Sequence, residues 1–346
     1  MRRLSIVTLL LLCLTRSNAQ DPNFTHFFNN TLYYNPAMAG INNGLRLTMD
    51  YRSLWSPIPS RFNTVNFSVD AAAIYNTGMG MMLFTDVEGE GKLRTTSMKT
   101  YYSYRPIETR NLQVQVGFEA SVVHKTVDFS QFVFSDQLDE VFGNVNGSAF
   151  IPPNVNQVVY PDFGTGFVVR FNNPGHMSQD LKLVTTLGAG FHHLTAPQDA
   201  FLNTGTVPFK WVVHGGTNIH YKNLIYAPAF LYEKQAQFSA FQIGMNMVKS
   251  LVYAGFWFRN RTAAFNGAQF DSFIFNIGSN FEFQNGNKMK VCYSYDFTIS
   301  RLRPSSLGTH EISIVYEIGN YTLFSGILKR QRFRYKTRFL KCVDGF

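Results

Sequence analysis

Apolar and polar residues alternate along this chain in one stretch of about ten residues after another. Between Leu112 and Val122, the residues Leu112, Val114, Val116, Phe118, Ala120 and Val122 are apolar, while Gln113, Gln115, Gly117, Glu119 and Ser121 are polar or small. A strand points successive side chains to opposite faces, so this segment has one greasy face. The same period runs through Leu45, Leu47, Met49 and Tyr51 against Arg46, Thr48, Asp50 and Arg52, and through Phe273, Phe275, Ile277, Phe281 and Phe283 against Asn276, Gly278, Asn280 and Glu282. No helical stripe of comparable length competes with it. Alternating runs fall near 44–55, 62–73, 78–88, 94–105, 112–128, 160–171, 182–193, 209–221, 225–234, 236–248, 251–258, 272–283, 288–297 and 308–318. They predict about fourteen strands, an even number that suits a bacterial barrel. Asn76-Thr77-Gly78, Arg110-Asn111 and Gln284 to Asn287 read as tight turns. Phe129 to Gln157, with Gly143, Asn144, Gly147, Pro152 and Pro153, reads as a long extracellular loop.

Composition narrows the class. Beyond the N-terminus no run of about 18 apolar residues occurs, so a membrane would have to be crossed by strands. Only a closed barrel then satisfies every backbone amide, because an open sheet edge in lipid leaves groups that cost several kcal/mol each. Charged residues are 15% of the chain, against roughly 25% in soluble domains, and aromatics reach 16%. A large secreted β-protein shares the alternation but carries more charge on its outer face. Arg2 and Arg3, the run Leu4 to Leu14 and Ser17-Asn18-Ala19 have the layout of a secretory signal, with cleavage expected before Gln20. Cys13 lacks the small preceding residues of a lipidation site. Removing Arg2, Arg3 and Arg16 with the signal lowers the formal charge from +9 to +6, a modest basic excess. The expected architecture is all-β: a signal peptide over 1–19, a periplasmic N-terminal segment over 20–43, a transmembrane antiparallel β-barrel over 44–318, and a basic-aromatic periplasmic C-terminal segment over 319–346.

Candidate chemistry is sparse. His192 and His193 are adjacent, which on a strand points them to opposite faces and prevents joint chelation. His310-Glu311 lacks the second histidine of a zinc-protease helix, and no nucleophile elbow or phosphate-cradling glycine loop occurs. Asp86, Glu88 and Glu90 share a face at a strand end, which reads as a wet loop sooner than a calcium site. The expectation is a protein without catalytic residues, metal or cofactor. Cys292 falls on the polar register of a strand and Cys342 in the tail, and both a disulfide and free thiols fit two such residues. In the tail, Arg332, Arg334, Lys336 and Arg338 alternate with Phe333, Tyr335, Thr337 and Phe339. The ribbon is a candidate partner-binding surface, or an interfacial strand whose arginines meet anionic headgroups. The export signal argues against nucleic acid.

Tyr33-Tyr34-Asn35-Pro36-Ala37-Met38-Ala39-Gly40, followed by Asp50-Tyr51-Arg52-Ser53-Leu54-Trp55, resembles the PorP/SprF family, outer-membrane components of the type IX secretion and gliding machinery of Bacteroidota. Three further segments are similar to it: His124 through Asp128-Phe129-Ser130 to Asp136-Gln137, Tyr293-Ser294-Tyr295-Asp296 with Ser300, and Gly308-Thr309-His310-Glu311-Ile312-Ser313. Lys341-Cys342 extends the resemblance to the tail, although Val343 stands where the pattern leads one to expect proline. The resemblance implies an outer-membrane barrel that helps to export or retain an adhesin-like cargo with a type IX C-terminal signal, beside other type IX components and outer-membrane lipid. A passive channel for small solutes is the alternative. The motif residues also have readings of their own. Asn35 before Pro36 is pushed to extended backbone, and Gly40 permits a turn. Tyr51 and Trp55 suit a headgroup interface, and Asp296 suits a lumenal ion pair with Arg52 or Arg105. Tyr293, Tyr295, Gly308, His310 and Glu311 carry the pattern without a further role.

Overall fold

The computed structural model describes residues 21–42, 44–55, 62–89, 92–109, 111–139, 143–145, 147–149, 156–173, 181–199, 205–221, 223–263, 267–284, 286–299 and 308–319, with Leu323. Fourteen strands form one closed antiparallel barrel. They are β1 (Leu45–Leu54), β2 (Phe62–Ala73), β3 (Thr77–Glu88), β4 (Leu93–Glu108), β5 (Leu112–Thr126), β8 (Gln157–Asn173), β9 (Leu181–His192), β10 (Lys210–Tyr221), β11 (Leu224–Gln235), β12 (Phe238–Lys249), β13 (Val252–Ala263), β14 (Gly267–Glu282), β15 (Lys288–Thr298) and β16 (Thr309–Ile318). The long loop after β5 carries the two-residue strands β6 (Leu138–Asp139) and β7 (Gly143–Asn144), which pair with each other. The barrel closes where β1 pairs with β16, from Leu45 opposite Ile318 to Leu54 opposite Thr309. All fourteen alternating runs of the sequence are strands of this barrel. No helix among the described residues is long and apolar enough to cross a membrane.

Side-chain direction is inverted relative to a soluble β-protein. On β1, Arg46, Thr48, Asp50 and Arg52 are buried inside, while Met49 and Tyr51 are 50% and 41% exposed outside. On β5, Gln113, Gln115, Glu119 and Ser121 point in, and Phe118 and Val122 point out. An apolar exterior over a polar interior is the arrangement a barrel needs when its outer solvent is lipid. The two ends of the barrel differ. At the terminal end, where β1 begins and β16 finishes, connections such as Ile74 to Asn76 are short, and positive φ at Tyr75 (58°) and Asn76 (59°) suits a tight hairpin. The opposite end, here the loop end, carries the long connections after β5 and β9.

The sequence reading placed the N-terminal segment outside the barrel. Instead it is inside: from Asn23 to Ile41 every residue is buried. The segment starts near the loop end, where the Asp21 amide donates to Gln235. It descends to Asn29, which donates to Ser313 on β16, and returns as the single helical turn α1 (Thr31–Tyr34). It then descends again through a 3-10 turn at Pro36–Met38 and Gly40 to β1. The Tyr34 hydroxyl closes this hairpin, accepting from the Phe24 amide at 2.7 Å and donating to its carbonyl at 3.0 Å. A barrel of about fourteen strands has more interior than its own side chains fill, and the apolar rings of the segment occupy that space. Phe28 stacks on Trp257 of β13 at 5.2 Å and Phe27 meets the same indole edge-on at 5.3 Å. The inward face there turns apolar to match, with Val212, Ala229, Leu231 and Ile274 buried around the rings.

Candidate functional site

The interface between this plug and the barrel wall gathers most of the motif residues. Its first part is ionic. Glu311 accepts the backbone amides of Thr25 (2.7 Å) and His26 (2.8 Å). Arg259 donates to Asp296 (2.8 Å) and to the Thr25 hydroxyl (2.9 Å), and that hydroxyl donates to Asp296 in turn. Arg52 lies 3.6 Å from Asp296 and 3.5 Å from Glu311 and donates to the Asn23 carbonyl. All four charged side chains are almost wholly buried. Buried charges persist only when paired and hydrogen-bonded, and here two carboxylates face two guanidiniums with the plug backbone between them. The lumenal pair expected for Asp296 therefore forms with Arg52 and, more closely, with Arg259. Arg105 takes another role, donating to the Gly40 carbonyl at 2.8 Å and to Gln115 at 3.1 Å.

The second part fits backbone to backbone. Asn35 is fully buried in extended conformation (φ −152°, ψ 113°), and its side-chain oxygen accepts from the Ala37 amide at 2.9 Å, capping the 3-10 turn that Pro36 opens. Its Nδ2 donates to the Phe167 carbonyl at 3.0 Å and lies 3.0 Å from His214 Nε2. Gly40 (φ 64°) ends the turn, its amide donating to Asp70 at 2.8 Å. The wall opposite is glycine. A Cβ on Gly117 would lie 2.3 Å from the Ala37 nitrogen, one on Gly166 2.2 Å from Asn35 Oδ1, and one on Gly190 2.2 Å from the Tyr34 carbonyl oxygen. Only hydrogen leaves room for such an approach.

The loop end is closed by a third set. His193 bridges Asp21 and Asp162, each at 2.8 Å, and Lys210 lies 3.3 Å from Glu233, which accepts from Asn23. The ammonium groups of Lys99 and Lys210 sit over the Tyr33 ring at 5.7 and 5.3 Å. His192 and His193 do not face opposite ways. His193 lies just past β9 with φ 57°, so strand alternation ends before it and both rings are buried, His192 Nε2 lying 3.1 Å from the Tyr34 carbonyl oxygen. Among the described residues no group of three or more His, Cys, Asp or Glu is placed to hold a metal ion.

The remaining motif residues stand apart from the plug. Tyr51 points outward and donates to Asn63 at 3.3 Å. Trp55 (φ 55°) packs edge-on against Phe62 and donates its amide to the Gly308 carbonyl. Tyr293 and Tyr295 flank His310, with the Tyr293 hydroxyl 2.7 Å from Nδ1. Arg332, Arg334, Lys336 and Arg338, and with them Cys342, lie outside the described residues. His26, Arg259 and the fit of the wall glycines to the plug went unnoticed in the sequence. The only signal for them was glycine recurring on the lumenal register of β8 and β9.

A family model described as type IX secretion system membrane protein PorP/SprF matches residues 16–316. No curated protein matches the sequence. Among solved structures, the toluene transporter TodX of P. putida is similar at 9% identity over 84% of this chain and 94% of that chain, with a TM-score of 0.45. A Pseudomonas aeruginosa FadL homologue is similar at 12% identity over 87% and 95%, with a TM-score of 0.43.

Proposed function

The chain belongs to the PorP/SprF family, outer-membrane components of the type IX secretion system, and on that premise we propose that it is a plugged, non-enzymatic docking barrel that binds an adhesin-like cargo and helps to export or retain it. The observation that carries this reading is the plug. Residues 21–41 occupy the lumen from the loop end to the terminal end, bonded to the wall along their length. Glu311, Asp296, Arg52, Arg259, Glu233, Asp70 and Arg105 of the inner wall all bond to this segment. Contacts with partners then fall to the loops and to the C-terminal tail, because the outward positions of the strands are committed to lipid.

Short turns lie in the periplasm and long loops outside in barrels of this kind. By that rule the terminal end faces the periplasm, where the basic tail meets other type IX components, and the loop end faces the cargo. The same plug weighs against a passive solute channel. Affinity purification of the tagged protein from native outer membranes in mild detergent, followed by mass spectrometry, tests the proposal. A large exported adhesin or type IX components are expected to come along. A partnerless barrel that gives steady single-channel conductance would overturn it.

A further inference from the structure

Where the plug meets the inward faces of β15 and β16, three side chains from distant parts of the chain stand in line. Cys292 on β15 lies with its Sγ 3.1 Å from His26 Nε2. The other ring nitrogen of His26, Nδ1, is 3.2 Å from Glu311 Oε1 on β16. Glu311 is held in turn by the amides of Thr25 and His26 and by Arg52. A nucleophile within hydrogen-bond reach of a base is the arrangement that activates thiols, and here Glu311 stands beside that base as an ion-pair neighbour outside hydrogen-bond geometry.

Cys292 is itself fully buried, and the space nearest to it is reached only past its packing partners. A cavity of about 330 Å³ lies toward the terminal end, lined by Phe28, Asn29, Ile225, Val248 and Lys290 among others. Val248 and Ile225 are the side chains that, with Tyr253, pack on Cys292. One layer of side chains therefore separates the cavity from the sulfur.

We propose that Cys292 is a modification site, a thiol activated by His26 beside Glu311, which small hydroperoxides entering from the terminal-end cavity oxidise to the sulfenic acid. In the step, His26 Nε2 takes the thiol proton, the thiolate sulfur attacks the hydrogen-bearing oxygen of the hydroperoxide, an S–O bond forms and the O–O bond breaks. The leaving alkoxide or hydroxide takes its proton from the imidazolium, so sulfur is oxidised and the peroxide reduced. The new oxygen then occupies the 3.1 Å gap between Sγ and Nε2 and pushes the His26 turn of the plug off the wall.

The test uses full-length protein in outer-membrane vesicles, with Cys342→Ser to leave Cys292 as the one thiol after signal removal. Hydrogen peroxide is the oxidant, dimedone traps the sulfenic acid, and intact-mass analysis reads the adduct. Expected is a dimedone adduct at Cys292 forming at least about tenfold faster than on glutathione at neutral pH. His26→Gln is expected to abolish that advantage in a barrel that still shows heat-modifiable gel mobility. Should His26→Gln fail to fold, the comparison with glutathione decides alone. A Cys292 that reacts no faster than glutathione, or equally fast without His26, would overturn the proposal and leave a buried structural thiol.

Discussion

Gly117 lies on the inward face of β5 against the Pro36–Met38 turn, and no side chain of any size fits there. The atoms a Cβ would meet, the Ala37 nitrogen and the Pro36 carbonyl carbon, are backbone and have no rotamer by which to move away. Overpacking of this kind costs about 1–3 kcal/mol, and it falls on the plug, since the barrel ladders on both sides of Gly117 are unaffected. Gly117→Val is therefore expected to give a folded, heat-modifiable barrel whose plug is cleaved by added protease, whereas Gly147→Val, with open space around it, leaves the plug protected. Equal protection in the two variants would mean that the glycine seat is not what holds the turn. At this scale the sequence was legible in one respect. It told which face of a strand a residue occupies, so Arg52, Asp296 and Cys292 were correctly read as lumenal. It offered Arg52 as a partner for Asp296 but was silent on the partners from the plug, because Thr25 meets Asp296 across 271 positions and His26 meets Glu311 across 285. His193 shows where the rule of alternation stops: one left-handed residue past the strand end turns a ring that would have faced lipid back toward Asp21.

Among the elements, the fourteen strands were readable because each repeats the contrast between lipid and lumen at a period of two. The plug has no such contrast. Rings at Phe24, Phe27, Phe28, Tyr33 and Tyr34 are all buried, spaced for neither strand nor helix, and its one helical turn is four residues long. A segment surrounded by wall on every side needs no polar face, so periodicity cannot find it. Its irregular polar and aromatic character looked like that of a solvated terminal segment for the same reason. What it does mechanically follows from its removal. Deleting residues 21–41 takes out the ring cluster around Trp257 and the backbone partners of Glu311, leaving a wall lined by Arg46, Asp50, Arg52, Arg259, Asp296 and Glu311. Such a lining is wetted readily, and a barrel of this strand number encloses room for water once nothing fills it. The deletion is expected to convert a silent protein into a steadily conducting pore in planar bilayers, with lowered thermal stability. A folded deletion variant without conductance would show that loops close the lumen independently.

Over the whole molecule, the two ends of the described chain emerge at opposite mouths. Asp21 sits with His193, Lys210 and Gln235 at the loop end, while Leu323, past the last strand, bridges to Ala73 at the terminal end. The tail beyond Leu323 therefore starts on the side proposed as periplasmic, far from any cargo held by the loops. Between Ile318 and Val343 the sequence has no acidic residue, so the segment repels nothing acidic and has no carboxylate within itself to pair with. If this ribbon reaches an acidic surface of another type IX component, the contact is electrostatic and solvent-exposed, hence screened over about 8 Å at physiological salt. Replacing Arg332, Arg334, Lys336 and Arg338 with glutamine is then expected to remove the periplasmic partner from the purified complex while cargo still comes along. Raising the salt on the unaltered protein should mimic the substitution. Loss of cargo together with the partner would mean that the two ends do not act separately. An unchanged complex would assign the four residues to lipid headgroups, the other surface a cationic and aromatic ribbon fits.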